Sequence, residues 1–200
     1  MFLKNIGWVL MSVFLAFAIA VPVQADSPSA EIKATTDKIL AIVTDQALKD
    51  PARAAERKRL IREAVNERFD WEEMARRSLA RHWSKRTAEE KQEFTAVFSK
   101  LLERTYMDKV EGYSGQKVIY EDEVIDGDYG LVRVKIVTSK EMEIPVKYRL
   151  KKRGSAWLVY DLSIEGISMV RNYRVQFNNI IRRSSYQNLM KRLTEKMAGE

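Results

Sequence analysis

Residues 156–181, AWLVYDLSIEGISMVRNYRVQFNNII, decide the fold because they join two different hydrophobic periods. The first half alternates as a β-strand does, with Trp157 and Val159 on one side and Leu162 on the other, so both faces are predicted to be partly buried. After Gly166, apolar residues recur at the spacing of one helical face. A strand that turns directly into an amphipathic helix predicts a seam between a sheet and its helical layer, where a ligand can bind.

Three further strand patterns precede this stretch, near residues 117–125, 129–138 and 141–152. The Asp126-Gly127 pair is a strong two-residue hairpin signal, which predicts antiparallel pairing. Apolar and charged residues alternate along these strands, so one face of the sheet is left for helices to cover. Pro145 cannot donate to a ladder, and the third strand is therefore predicted to contain a bulge or an unpaired stretch there.

Helical periodicity occupies the chain on both sides of the strands. The clearest run is residues 88–106, where Phe94, Phe98 and Leu102 belong to one apolar face behind a capping box that begins at Thr87. The sequence therefore predicts an α+β fold. A four-stranded antiparallel meander sheet has one face covered by several helices, with a deep apolar pocket between sheet and helices.

The N-terminus has the features of an export signal. Lys4 is the only charge before Asp26, an apolar run covers residues 6–21, and Val23-Gln24-Ala25 fits a small-residue cleavage site. We predict a cleaved signal peptide at residues 1–25 and a single domain at residues 26–200. The alternative is an uncleaved membrane anchor.

Composition limits the possible partners. The sequence has no cysteine, so disulfides and thiolate metal sites are excluded. Its formal charge of +7 favours anionic partners, and export argues against nucleic acid. A predicted helix from Pro51 to about Arg68 has a basic side that is either a docking face or a solvated surface, formed by Arg53, Arg57, Lys58 and Arg62.

The sequence offers few candidate catalytic residues. His82 is the only histidine, and a lone histidine beside Trp83 is more often structural than catalytic. Asp161 is the one acid within an apolar strand, where it either acts as a base or bonds to the backbone at the strand end. The sequence contains no nucleophile motif, metal-ligand cluster or phosphate loop. We predict a protein that is not an enzyme and holds no metal or cofactor.

Several sequence blocks are distinctive in their order. They are FDWEEMA at 69–75, LARHW at 79–83, FSKLLERTY at 98–106, YSG at 113–115, IPVKYRL at 144–150, WLVYD at 157–161, IEGIS at 164–168 and NYRVQF at 172–177. Together these blocks closely resemble the MlaC family, also called the toluene-tolerance family of auxiliary transport proteins. Ile167 is a conservative exchange, since the family often has Val there.

The resemblance implies a periplasmic phospholipid-binding carrier of the Mla pathway that helps to maintain outer-membrane lipid asymmetry. It would pass lipid between an outer-membrane lipoprotein–porin complex and an inner-membrane ABC transporter with an MCE-domain subunit. Phospholipid would be its cargo rather than a cofactor. Some relatives are linked to hopanoid metabolism, so a hopanoid-type lipid stays open as an alternative cargo. We expect a monomer.

We predict that a set of apolar side chains lines the lipid cavity. They are Phe98, Leu102, Val134, Ile136, Val146, Tyr148, Trp157, Val159, Ile167, Tyr173 and Phe177. Arg171 and Arg174, near the start of the following helix, are the candidates for a head-group phosphate or else ordinary surface residues.

Two other functions stay open at this point. A small-molecule enzyme that uses the same cavity requires His82 or Asp161 inside the pocket. A pure interaction module would use the basic second helix and a filled core. Periodicity alone does not separate a filled apolar core from a hollow one.

Overall fold

The computed structural model describes residues 27–198, and the predicted signal peptide at residues 1–25 lies outside them. The helices in that range are α1 (Pro28–Thr44), α2 (Ala54–Asn66), α3 (Trp71–Leu79), α4 (Ala88–Glu111), α5 (Met169–Arg183) and α6 (Tyr186–Ala198). Short 3₁₀-helices occur at Ala47–Lys49, Pro51–Arg53 and Ala80–Lys85. The strands are β1 (Lys117–Asp126), β2 (Tyr129–Val137), β3 (Glu143–Arg153), β4 (Ala156–Ile164) and β5 (Ile167–Ser168).

The strands form one antiparallel sheet in the order β1-β2-β3-β4-β5, which confirms the predicted α+β fold and meander. The predicted number of four strands was wrong, because the chain folds back on β4 after its last residue. Glu165 and Gly166 both have positive φ, at 51° and 83°. Such a tight turn lets Ile167 pair with Ile164 and form β5.

Pro145 does not disturb β3, contrary to the sequence prediction. It pairs with Lys135 in an uninterrupted β2–β3 register. Its carbonyl accepts a hydrogen bond from the Glu165 N–H at 2.9 Å, so the polar groups of Pro145 face the β4 side. The pairing of β4 with β3 begins one residue later, at Val146 and Ile164, and the missing N–H of proline therefore costs no ladder bond.

A bulge in β4 changes which residues share a face. Arg149 pairs with Asp161 and the next residue of β3, Leu150, pairs with Val159, so Tyr160 is the extra residue. The bulge brings Leu162 back to the face of Val159, and both pack in the same apolar cluster. Simple alternation placed Leu162 on the opposite face, and that prediction was wrong.

The apolar interior is divided into three clusters. The sheet cluster joins β2, β3 and β4 to Ile32 of α1. The helical cluster joins α3, α4, α5 and α6. A smaller third cluster contains Val43 of α1, Ile61 of α2 and Met107 of α4. The two larger clusters adjoin at Phe69 and Leu162, which pack against both.

The segment before α3 attaches the helices to the edge of the sheet. The Asp70 N–H donates to the Val159 carbonyl at 2.9 Å, and the Val159 N–H donates to the Arg68 carbonyl at 2.8 Å. The Asp70 side chain then caps α3 by accepting a hydrogen bond from the Glu73 N–H. The edge of β4 is thereby paired, and α3 begins directly beside the seam.

Candidate functional site

One end of the sheet's apolar face is completely covered. Val132, Leu150 and Val159 have no accessible surface, and Trp157 is 4% exposed in the same cluster. Ile32 of α1 packs against them. This end of the face is a filled core.

The other end of the same face is only partly covered, and we call it the open end. Its side chains pack against the sheet cluster while they keep part of their surface accessible. They are Val118, Ile136, Ile144, Tyr148 and Leu162. The register places Ile136 opposite Ile144 at the far end of the face and Tyr148 opposite Leu162 next to the filled core, with the buried pair Val134 and Val146 between them. With Val118 of β1, these apolar side chains lie on four strands, and the protein itself does not fully bury them.

Tyr148 is the tyrosine of the open end, and its phenol is surrounded by protein. Burial raises the pKa of its phenol to about 12, because the surrounding protein disfavours the phenolate. The residue nevertheless keeps accessible surface. Its neutral phenol therefore adds no charge to the open end.

The helical cluster meets the sheet cluster at β4. Leu162 and Phe69 pack against both clusters, which places the seam there. Tyr106 of α4 and Tyr173 of α5 are half-buried on the helical side. Burial raises the pKa of Tyr106, and the nearby Tyr173 raises it further. The Tyr106 phenol is therefore neutral at physiological pH.

The predicted lining residues divide between the two clusters. Val134, Ile136, Val146, Tyr148, Trp157 and Val159 belong to the sheet cluster. Phe98, Leu102, Tyr173 and Phe177 belong to the helical cluster. Ile167 belongs to neither and is 66% exposed on β5.

Several predicted lining residues are packed against other side chains. The Phe98 ring lies 5.3 Å from the Tyr173 ring and 5.6 Å from the Phe177 ring in edge-to-face contacts. Phe98 is 0% exposed and Phe177 is 2% exposed. These aromatic contacts stabilise the helical cluster and leave Tyr173 as its half-buried boundary.

The predicted lining omitted three half-buried residues of the sheet cluster, namely Val118, Ile144 and Leu162. Ile144 alternates in phase with Val146, so strand periodicity contained a signal for it. Leu162 carried no such signal, because the bulge at Tyr160 reverses the phase.

Asp161 is fully engaged in structural bonds. One carboxylate oxygen accepts from the Val170 N–H at 3.1 Å, and the other accepts from the Ser168 hydroxyl at 2.7 Å and from Arg149 at 3.0 Å. The carboxylate therefore ties β4 to the first turn of α5, as the backbone-bonded alternative predicted. His82 lies in the Ala80–Lys85 helix, 3.1 Å from the Asn178 amide oxygen.

Two surface clefts accompany the seam, and both have charged linings. A cleft of about 370 Å³ lies between the Ala80–Lys85 helix and α5 and includes Arg174. A cleft of about 530 Å³ lies beside α3 and includes Glu73 and Arg153. Neither contains any of the predicted apolar lining residues. Arg171 is exposed in the first turn of α5, outside both clefts.

Within residues 27–198, no group of histidine and acidic side chains is arranged to hold a metal ion. In the same part of the chain, no helix combines the length and apolarity required to cross a bilayer.

The sequence model of the MlaC protein family matches residues 33–195, which is most of the chain. This chain belongs to the MlaC family. This match confirms the resemblance that the sequence blocks indicated, and the matched residues include the whole sheet.

Two MlaC relatives show what this chain is similar to. The intermembrane phospholipid transport system binding protein MlaC of Haemophilus influenzae is 23% identical over 122 residues, 58% of this chain and 57% of that protein. The match thus spans little more than half of that relative. The phospholipid-binding protein from Ralstonia solanacearum, solved in complex with a phospholipid, is 26% identical with a TM-score of 0.78. That similarity covers 87% of this chain and 98% of the other.

Proposed function

We propose that this protein is a phospholipid carrier that holds acyl chains at the seam between the sheet and the helices. The observation that carries the proposal is the likeness, over nearly its whole length, to a structure that contains a phospholipid. The incompletely covered open end supplies an apolar surface of the required kind.

The energetics of the proposed cargo explain why a carrier is needed. Each methylene that leaves water contributes about 0.8 kcal/mol, so two acyl chains are held strongly and rarely escape spontaneously. Release therefore requires a partner that offers another apolar surface or opens the seam. We propose that the protein is exported to the periplasm after cleavage near Ala25. There it would exchange lipid with an outer-membrane lipoprotein–porin complex and an inner-membrane ABC transporter with an MCE-domain subunit.

The lining at the open end follows from this proposal. Ile136 and Tyr148 would contact the acyl chains from the sheet, and Tyr173 would contact them from α5. Ser168 and Asp161 already accept hydrogen bonds from the first N–H groups of α5, so those groups are not free for a phosphate. Arg171 is the proposed head-group contact, because its side chain is exposed in the same turn.

The test is mass spectrometry of an organic extract of the natively purified protein. We expect phospholipid from the wild type and little from Ile136→Trp, because an indole at this half-buried position occupies the space beside the open end. Lys147→Trp is the matched control, since its exposed side chain extends from β3 away from the apolar face.

Thermal unfolding of all three proteins shows whether the variants are folded. Absence of lipid from the wild type would overturn the carrier proposal. Equal lipid content in both folded variants would show that the open end is not the lipid site, and a terpenoid extract would favour the hopanoid-type cargo.

A further inference from the structure

The cleft between the Ala80–Lys85 helix and α5 concentrates cationic groups, and we call it the arginine cleft. Its volume is about 370 Å³. It is lined by Leu79, Ala80, Arg81, His82, Arg174, Val175, Asn178 and Arg182. None of these residues is acidic, so the lining carries three guanidinium groups without an internal counter-charge.

Two of the three cations are spaced along one helix. Arg174, Asn178 and Arg182 are spaced four residues apart and share one stripe of α5. At a rise of about 1.5 Å per residue, Arg174 and Arg182 begin about 12 Å apart along the helix axis. At the centre, the Asn178 amide oxygen accepts a hydrogen bond from Arg81 at 2.8 Å and lies 3.1 Å from the His82 ring nitrogen.

The basic side of α2 provides a comparison, because its cations form ion pairs within the protein. Arg53 pairs with Glu56, Arg57 and Lys58 pair with Glu111, and Arg62 pairs with Glu103. All four cations of the basic side that the sequence predicted are therefore paired with carboxylates of the protein itself.

The arginine cleft differs, because no carboxylate in residues 27–198 lies within ion-pair distance of Arg174 or Arg182. Their charge remains available to an external anionic group.

The lining of the arginine cleft has two further unusual features. Val175 is 54% exposed beside Arg174, although it is a large apolar residue. Ala80 has φ 48° and ψ −120°, a strained conformation for alanine of the kind that is found most often at functional sites. An exposed apolar centre with a charged rim is the usual anatomy of a protein interface.

We propose that the arginine cleft is a docking site for an acidic segment of a partner protein. Because Arg174 and Arg182 are attached about 12 Å apart along α5, carboxylates spaced along an extended peptide match their positions. An apolar partner side chain between those carboxylates would cover Val175. The proposal is independent of lipid binding at the seam, because the cleft and the open end have no residue in common.

The experiment measures fluorescence anisotropy of a labelled, unstructured peptide of alternating glutamate and leucine at physiological ionic strength. We expect Arg174→Glu/Arg182→Glu to weaken binding about tenfold, because reversed charges face the peptide. Arg183→Glu/Arg192→Glu makes the same charge change at exposed positions of α5 and α6 outside the cleft. We expect this control pair to change binding by less than about twofold, since only long-range attraction is altered.

The neutral pair Arg174→Gln/Arg182→Gln extends the test should the reversed pair fail to fold, and it is expected to weaken binding by a smaller factor. Equal weakening by the reversed pair and the control pair would overturn the proposal in favour of non-specific attraction to a basic protein. Displacement of the peptide by inorganic phosphate, or binding only to vesicles of phosphatidylglycerol, would overturn it in favour of a small anion or a membrane surface. Lipid content measured on the same samples separates failure of docking from failure of the carrier proposal.

Discussion

At the scale of single residues, Ala80 is a non-glycine residue with a positive φ. Its φ of 48° and ψ of −120° suit glycine, which has no β-carbon to clash. We expect Ala80→Gly to stabilise the protein by about 1 kcal/mol, because relief of strain exceeds the added entropy of the unfolded chain. Chemical denaturation measures the change.

The control for Ala80→Gly is the same substitution at an unstrained site. Ala96 is exposed in the interior of α4, and Ala96→Gly is expected to destabilise by about 1 kcal/mol. A gain of stability for Ala80→Gly together with a loss for Ala96→Gly would support a strained backbone at Ala80. Destabilisation at both would contradict it.

Glu73 provides a prediction about pH. Burial raises its pKa, but hydrogen bonds and charge from Arg76 and Arg77 outweigh burial and lower the pKa to about 2. A carboxyl whose folded pKa is depressed stabilises the protein above its unfolded pKa of about 4.5, and that stability is lost as pH falls towards 2. We expect the free energy of unfolding of the wild type to exceed that of Glu73→Gln by about 2 kcal/mol at neutral pH. This difference should shrink below about pH 4.5.

Denaturant midpoints from pH 2 to 7 follow this difference, within the range where both proteins remain folded. Glu72→Gln, at the adjacent exposed position, is the matched control and should show no comparable dependence on pH. A difference between wild type and Glu73→Gln that stays constant across that range would show that Glu73 acts through packing rather than charge.

At the scale of secondary-structure elements, Asp161 joins the last long strand to the helix that follows it. Asp161→Asn keeps one acceptor oxygen and replaces the other by an amide N–H₂. In one orientation the N–H₂ faces Ser168 and Arg149, in the other it faces the Val170 N–H, and all of these groups are donors. We expect a loss of about 1–3 kcal/mol in the free energy of unfolding, with lipid content unchanged. Chemical denaturation and lipid extraction of the same samples provide the two measurements.

Asp128→Asn, at an exposed position of the β1–β2 turn, is the control for the exchange itself. Reduced lipid content without reduced stability would indicate that Asp161 contacts the cargo, contrary to its role as a link between elements.

The elements were largely predictable because their signals are local. The capping box at Thr87 and Glu90, the Asp126-Gly127 turn and the alternation in β3 each depend on a few adjacent residues, and all appear in the structure. The fifth strand escaped prediction because two residues have no measurable period. Pro145 was misjudged because the sequence does not show which side of a strand its missing N–H faces.

The candidate site was less predictable than the elements, because it depends on how apolar faces meet. Phe98 and Phe177 have the same periodic signal as a cavity wall, yet their surfaces are covered by other aromatic rings. Tyr148 has an equally ordinary signal and keeps accessible surface. Periodicity identifies a buried face, and only the tertiary arrangement shows whether another side chain covers it.

At the scale of the whole molecule, the separation of the sheet cluster from the helical cluster carries a thermodynamic consequence. An apolar face that the protein leaves partly uncovered lacks dispersion contacts until a ligand supplies them. Because a ligand that binds only the native state stabilises it by mass action, phospholipid at about one hundred times its Kd adds about 2.7 kcal/mol. Delipidation should therefore lower the Tm by about 5–10 °C for a chain of this size, and added phospholipid should restore it.

Ile136→Trp should abolish the restoration while Lys147→Trp preserves it, because only the first side chain occupies the open end. Differential scanning calorimetry of the three delipidated proteins, with and without phospholipid, measures the shifts. A delipidated wild type whose Tm does not respond to phospholipid would mean that the boundary between the clusters is closed by the protein's own side chains. A restored Tm in Ile136→Trp would instead locate the binding surface away from the open end of the sheet.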